Sequence, residues 1–117
     1  MTRMNWLRLI GLSGALAVLA GAFGAHGLSG KAAEWARTGA AYQLLHLAVA
    51  LVVLLGAKGG RPLHKTLAML VGGGWLFAGT LYAMALGAPH WLGAITPIGG
   101  VMLVLGWLAL LWNACRL

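Results

Sequence analysis

The sequence is short of charge and almost without acid. Its 117 residues hold 8 Lys and Arg, a single carboxylate at Glu34, and 62% hydrophobic side chains. A water-soluble domain carries about a quarter charged residues and keeps much of its surface polar, so a soluble globule is excluded. One acid permits no paired carboxylates, and no serine–histidine–acid set or phosphate loop can be assembled, so no enzymatic site is expected. The lone cysteine, Cys115, excludes an internal disulfide and a thiolate metal cluster. The net charge of +7 would serve nucleic-acid binding only if gathered into a contiguous patch. The basic residues instead punctuate the gaps between apolar runs, and no nucleic-acid partner is expected.

What the chain has is apolar length. A membrane helix needs about 20 such residues to cross roughly 30 Å of hydrocarbon. Four segments meet or approach this, at 6–25, 40–57, 66–87 and 92–114. They predict an all-α, four-helix transmembrane bundle in one domain over 1–117, with the lipid bilayer as its surroundings. The second run is the shortest, but its polar N-terminal extension suits the headgroup layer. The first follows Arg3 and Arg8 and contains Ala20-Gly21-Ala22, as a cleaved leader would. It is longer than a leader's apolar core and three more spans follow, so it is read as a retained helix. Turns are marked by His26-Gly27-Leu28-Ser29-Gly30, Gly59-Gly60-Arg61-Pro62 and Gly87-Ala88-Pro89.

Basic residues set the orientation. Arg3, Arg8, Lys58, Arg61, Lys65 and Arg116 fall on one side, against Lys31 and Arg37 on the other, which predicts both termini in the cytoplasm. Trp6 and Trp112 suit the inner interface, and Trp35 and Trp91 the outer one. Trp75 and Trp107 lie deeper and are assigned to packing between helices.

Lipid offers no hydrophobic force to drive helices together, so close backbone approach must do it. Small residues allow that approach. Ser13, Ala17, Gly21 and Ala25 recur every four residues in the first span, beside Gly14; Gly72, Gly73, Gly74 and Gly79 serve the third, and Gly99, Gly100 and Gly106 the fourth. The same small faces could also join copies of the chain.

The informative polar pattern is Glu34, Thr38, Tyr42 and His46, stepping by four, with Gln43 three before His46. A helix starting near Thr38 places His46 about 12 Å down, inside the hydrocarbon, where ionisable groups usually face the bundle interior. Three readings compete: hydrogen bonds that fix helix register, a ligand, metal or haem site using His26 and His46, and a path for protons or a polar substrate. His90 could add a third imidazole on the outer side, although a solvated loop histidine suffices there. His64 lies on the cytoplasmic side, apart from the others. Zinc needs three or four ligands, and His26, His46, His90 and Glu34 are all the sequence offers. Thr96 can cap the last helix, with Pro97 in its first turn, and Thr80 and Tyr82 extend the polar set. The small multidrug exporters of this size depend on an acid in the first helix, and none is present here.

The residues also resemble a known family. Gly21 to Leu28 reads G-A-F-G-A-H-G-L, Tyr42 is paired with His46, Leu76 to Tyr82 reads L-F-A-G-T-L-Y, and Thr96 to Gly100 reads T-P-I-G-G. Together these resemble the domain of unknown function 423 family, small bacterial inner-membrane proteins similar to transmembrane protein 256. The resemblance covers nearly the whole chain and implies a four-helix inner-membrane protein with no assigned activity. Its motifs bring forward His26, Tyr42, His46, Tyr82, Thr96 and Pro97. Gln43 and Leu45 depart from the smaller residues that the family often carries. The expectation is a non-enzymatic membrane protein, either a homo-oligomer or an accessory subunit of a larger complex. No cofactor is expected; haem or a metal ion at His26 and His46 is the alternative, and a small transporter or channel the third.

Overall fold

The computed structural model describes residues 1–60 and 62–117; Arg61, counted above among the basic residues, lies outside the described residues. Four helices follow one another: α1 (Arg3–His26), α2 (Gly30–Gly56), α3 (His64–Ala85) and α4 (Thr96–Trp112), and no strand occurs among the described residues. Each is long and apolar enough to cross a membrane, α4 together with the short 3-10 turn His90–Ala94 that leads into it. The long axis of 46 Å exceeds the hydrocarbon core of roughly 30 Å, and the cross-section measures 24 × 18 Å.

Local chemistry sets the boundaries. Thr2 caps α1, its hydroxyl accepting from the Asn5 N–H at 3.1 Å. Gly30 and Gly87 take φ of +60° and +105°, a conformation L side chains rarely adopt, where the chain turns into α2 and out of α3. The start of α2 corrects the sequence reading, since the helix begins ten residues before the apolar run. The segment Ala32 to Arg37 is rich in helix formers, and Ala33 and Ala36 are buried against neighbours, so helix extends beyond the hydrocarbon. Ile95, not Thr96, is the cap residue of α4.

The helices run up and down, each packed on its neighbours in sequence. The central pair, α2 and α3, buries about twice as much of itself as α1 or α4. Periodicity explains the difference. Buried positions on α1 are Trp6, Ile10, Ser13, Ala17 and Gly24, and on α4 Thr96, Gly99, Leu103 and Gly106. Steps of three and four average 3.5 and give one narrow seam, the pattern of left-handed helix pairs. The predicted every-four ladder therefore drifts off the interface: Ala25 is exposed, Gly14 meets nothing, and Gly24 takes the buried place.

Two halves of the core differ in content. Toward the termini a cluster of Trp6, Ile10, Leu47, Val53, Leu54, Leu63, Leu67 and Leu70 fills the space between helices. Toward the two hairpin turns the backbones approach instead. A Cβ on Gly24 would lie 2.8 Å from that of Ala36, and one on Gly39 would lie 2.9 Å from the Tyr82 ring. On Gly99 it would meet the Phe77 Cα at 2.8 Å, and on Gly73, at the middle of α3, the Met102 Cβ at 2.8 Å. Of the predicted packing glycines, Gly21, Gly73, Gly99 and Gly106 make such contacts, whereas Gly72, Gly74, Gly79 and Gly100 have only ordinary ones; Gly24 and Gly39 were not singled out.

Candidate functional site

His46 sits near mid-membrane. It is nine residues from Arg37, the last charge before the apolar run, and ten from Gly56, or about 13 Å and 15 Å at 1.5 Å per residue. Its ring is 5% exposed and turned inward. The polar stripe of α2 explains how. Four residues advance a helix by 400°, so a stripe stepping by four drifts about 40° each time. Glu34, Thr38 and Tyr42 remain exposed, and His46 has rotated underneath.

Both nitrogens of His46 are engaged. Nδ1 lies 2.7 Å from the Tyr42 carbonyl oxygen, and Nε2 accepts from the Trp107 indole N–H at 3.0 Å. A carbonyl can only accept and an indole N–H can only donate. The proton therefore sits on Nδ1 and the lone pair on Nε2, which makes the imidazole neutral with a defined tautomer. Tyr42 stacks over it at 6.2 Å between ring centroids and 7° between planes.

The other predicted polar residues do not join this group; they form separate bonds. The Tyr82 hydroxyl donates to Gln43 Oε1 at 2.8 Å, tying α3 to α2. The Thr96 and Thr80 hydroxyls meet at 2.6 Å and tie α4 to α3. Thr96 also bonds back to the Leu92 carbonyl, so it is a clasp and not a cap. Three further bonds were not anticipated. Trp75 donates to Ser13 Oγ at 2.8 Å, Trp6 donates to His64 Nδ1 at 3.1 Å, and an Arg3 Nη2 donates to the Leu54 carbonyl at 3.2 Å. Every helix pair except α1 with α4 is joined by at least one of these bonds. Among the described residues, the buried side-chain nitrogens left without a partner are Gln43 Nε2 and Arg3 Nε.

His26 and His46 are not brought together. Gly24 faces Ala36 and Gly21 faces Ala40, so His26 lies level with about Ala33. His46 is 13 residues further along, roughly 20 Å by helix rise. His26 is exposed, and His90, also exposed, makes an edge contact with Trp35 at 5.2 Å. No three His, Cys, Asp or Glu side chains gather into a metal-binding set among the described residues. Beside His46 a groove of about 280 Å³, lined by Tyr42, Leu45, Phe77, Leu103, Val104 and Trp107, opens between α2 and α4. Its lining is almost entirely apolar.

The comparisons agree with this architecture. Residues 20–100 match the family described as "Protein of unknown function (DUF423)". The chain belongs to the DUF423 family. Among its relatives, a UPF0382 membrane protein of Haemophilus influenzae is 39% identical, covering 96% of this chain and 94% of its own. The Bacillus subtilis UPF0382 membrane protein YwdK is 38% identical, with 86% and 88% covered. The Escherichia coli UPF0382 inner membrane protein YgdD is 37% identical, with 100% and 94% covered. No solved structure matches the chain. This DUF423 member is a multi-pass membrane protein, with four helices long and apolar enough to cross the bilayer.

Proposed function

We propose that this DUF423 protein is a non-catalytic membrane subunit, assembling with copies of itself or with a larger membrane complex through its lipid-facing helix surfaces. The observation that carries the reading is how most of the interior polar side chains are spent: Ser13, Gln43, His46, Thr80 and Thr96 each bond to another helix, and of the buried polar residues only Thr66, at the rim near the termini, does not do so among the described residues. Such bonds contribute about 0.6 to 2 kcal/mol each in a bilayer and fix which helix lies beside which. A catalytic or transport centre needs polar groups turned toward a substrate instead. Meanwhile the outer face of α1 keeps Gly11 and Ala15 exposed, one turn apart, and a Cβ on Gly11 would meet nothing within 4 Å. Small residues at this spacing let a further helix approach closely.

Purification in mild detergent followed by native mass spectrometry tests the assembly. A dimer or higher species, or a stoichiometric partner, is expected; a lone monomer at every detergent concentration overturns it. With Cys115→Ser as background, Gly11→Cys should cross-link to a second copy or to the partner. An absorbance scan and metal analysis of the same sample test the alternative, because haem or a metal at His46 has to displace the Trp107 indole from Nε2. We further assign both termini to the cytoplasm, from the basic residues gathered at that end. Cys115 is exposed near the C-terminus, so a membrane-impermeant thiol reagent should label it in inside-out vesicles and not in intact cells.

A further inference from the structure

At the end of the bundle that holds the termini, a cavity of about 530 Å³ opens between the start of α3 and the end of α4. We propose that it binds the phosphate group of an anionic phospholipid from the adjacent leaflet.

Its walls are donors without a competing acid. Lys65 and Arg116 line it, no acidic side chain does, and the chain's single acidic side chain, Glu34, lies at the opposite end of the bundle, in the second turn of α2. The N-cap of α3, Leu63, offers no side-chain cap, and the helix's own bonding begins with the Leu67 N–H to the Leu63 carbonyl. The N–H groups of His64, Lys65 and Thr66 therefore have no intrahelical acceptor, at the positive end of a 22-residue helix. The side chains add two donors. Thr66 is 1% exposed, lines the cavity, and its hydroxyl bonds to no other described residue. His64 also lines the cavity; its Nδ1 accepts from Trp6, so the neutral ring carries its proton on Nε2.

The surroundings favour a lipid over a free anion. Trp112 forms part of the wall and is 87% exposed, and Leu111 beside it is 73% exposed. An aromatic ring there suits the headgroup level, and the apolar surface of α4 below it suits an acyl chain. Phosphate above and hydrocarbon below is the arrangement of a phospholipid at the interface.

Native mass spectrometry of the full chain in detergent, with equimolar phosphatidylglycerol and phosphatidylcholine, provides the test. One phosphatidylglycerol should be retained with roughly tenfold preference, which the Lys65→Gln/Arg116→Gln double variant should abolish. Arg8→Gln/Lys58→Gln removes the same charge from the same end outside the cavity lining and should keep the preference. Equal binding of the two lipids by the unaltered protein overturns the proposal. Equal loss in both double variants also overturns it, because the attraction would then be diffuse. So does retention of inorganic phosphate alone without lipid preference. Unchanged circular dichroism shows that the variants fold, and Lys65→Gln alone, at an exposed position, should give an intermediate preference.

Discussion

Near the termini Leu54, Leu67 and Leu70 fill the space between helices; near the hairpin turns Gly24, Gly39 and Gly99 remove it. Both arrangements bring many atoms into contact, which is what holds helices together where lipid tails are as apolar as the side chains. They should fail in opposite ways. A bulky interior is weakened when volume is taken away, and a close backbone contact when volume is added. Polar bonds follow a related division: the Thr80–Thr96 and Gln43–Tyr82 bonds lie among the small residues, while Trp6–His64 closes the bulky half at its rim.

Five changes test that contrast by unfolding in detergent. The largest effect is expected for Gly99→Val, because the new side chain meets the Phe77 backbone, which cannot move aside. A loss of about 3 kcal/mol or more, or separation of α3 from α4, is expected; a change below about 1 kcal/mol would show that the two backbones can part without penalty. Leu54→Ala, at a fully buried position of the other half, should cost about 2 to 4 kcal/mol. If Gly99→Val were tolerated better than Leu54→Ala, the contrast between the halves would be lost.

Smaller effects come from the two indole–imidazole bonds. His46→Leu leaves the Trp107 N–H without an acceptor and should cost about 1 to 2 kcal/mol. His64→Leu acts at an exposed residue and should cost under about 0.5 kcal/mol. Nitrogen-15 spectra of the two rings sharpen the same comparison, with the proton expected on Nδ1 in His46 and on Nε2 in His64. A shared tautomer would contradict one of the two bonds. The smallest effect belongs to Gly14→Ala, where the added carbon meets nothing within 4 Å. Stability should stay within about 0.5 kcal/mol of the parent or rise slightly, and a large loss there would reveal a neighbouring molecule on that face.

The spans and turns were legible because apolar length and Gly–Pro punctuation are local signals. So was the inward turn of His46, since an imidazole inside hydrocarbon has few other places to go. Its partner was not legible: Trp107 is 61 residues away, and nothing in the sequence distinguishes it from a packing tryptophan. The predicted polar set of His26, Tyr42, Gln43, His46, Tyr82 and Thr96 divided into smaller groups, Tyr42 with His46 and Gln43 with Tyr82, while His26 and Thr96 lie apart, because shared polarity does not specify shared partners. Gly24 escaped notice because a step of four was followed where the interface repeats every 3.5 residues, and Gly39 because it lies just before the predicted second span. The early start of α2 was hidden because apolar content marks the bilayer, and a helix can run past it. Gln43 stood out from the family pattern, and it proved to be the residue holding Tyr82.

The two bonds of His46 differ in when they can form. The one to the Tyr42 carbonyl lies within α2 and exists as soon as that helix coils. The one from Trp107 waits for the last span to arrive. During biogenesis the ring therefore enters the bilayer with its proton already sheltered and only a lone pair unmet, a lesser burden than a bare imidazole. The first three spans can settle in that condition, and the fourth then completes the assembly and latches it.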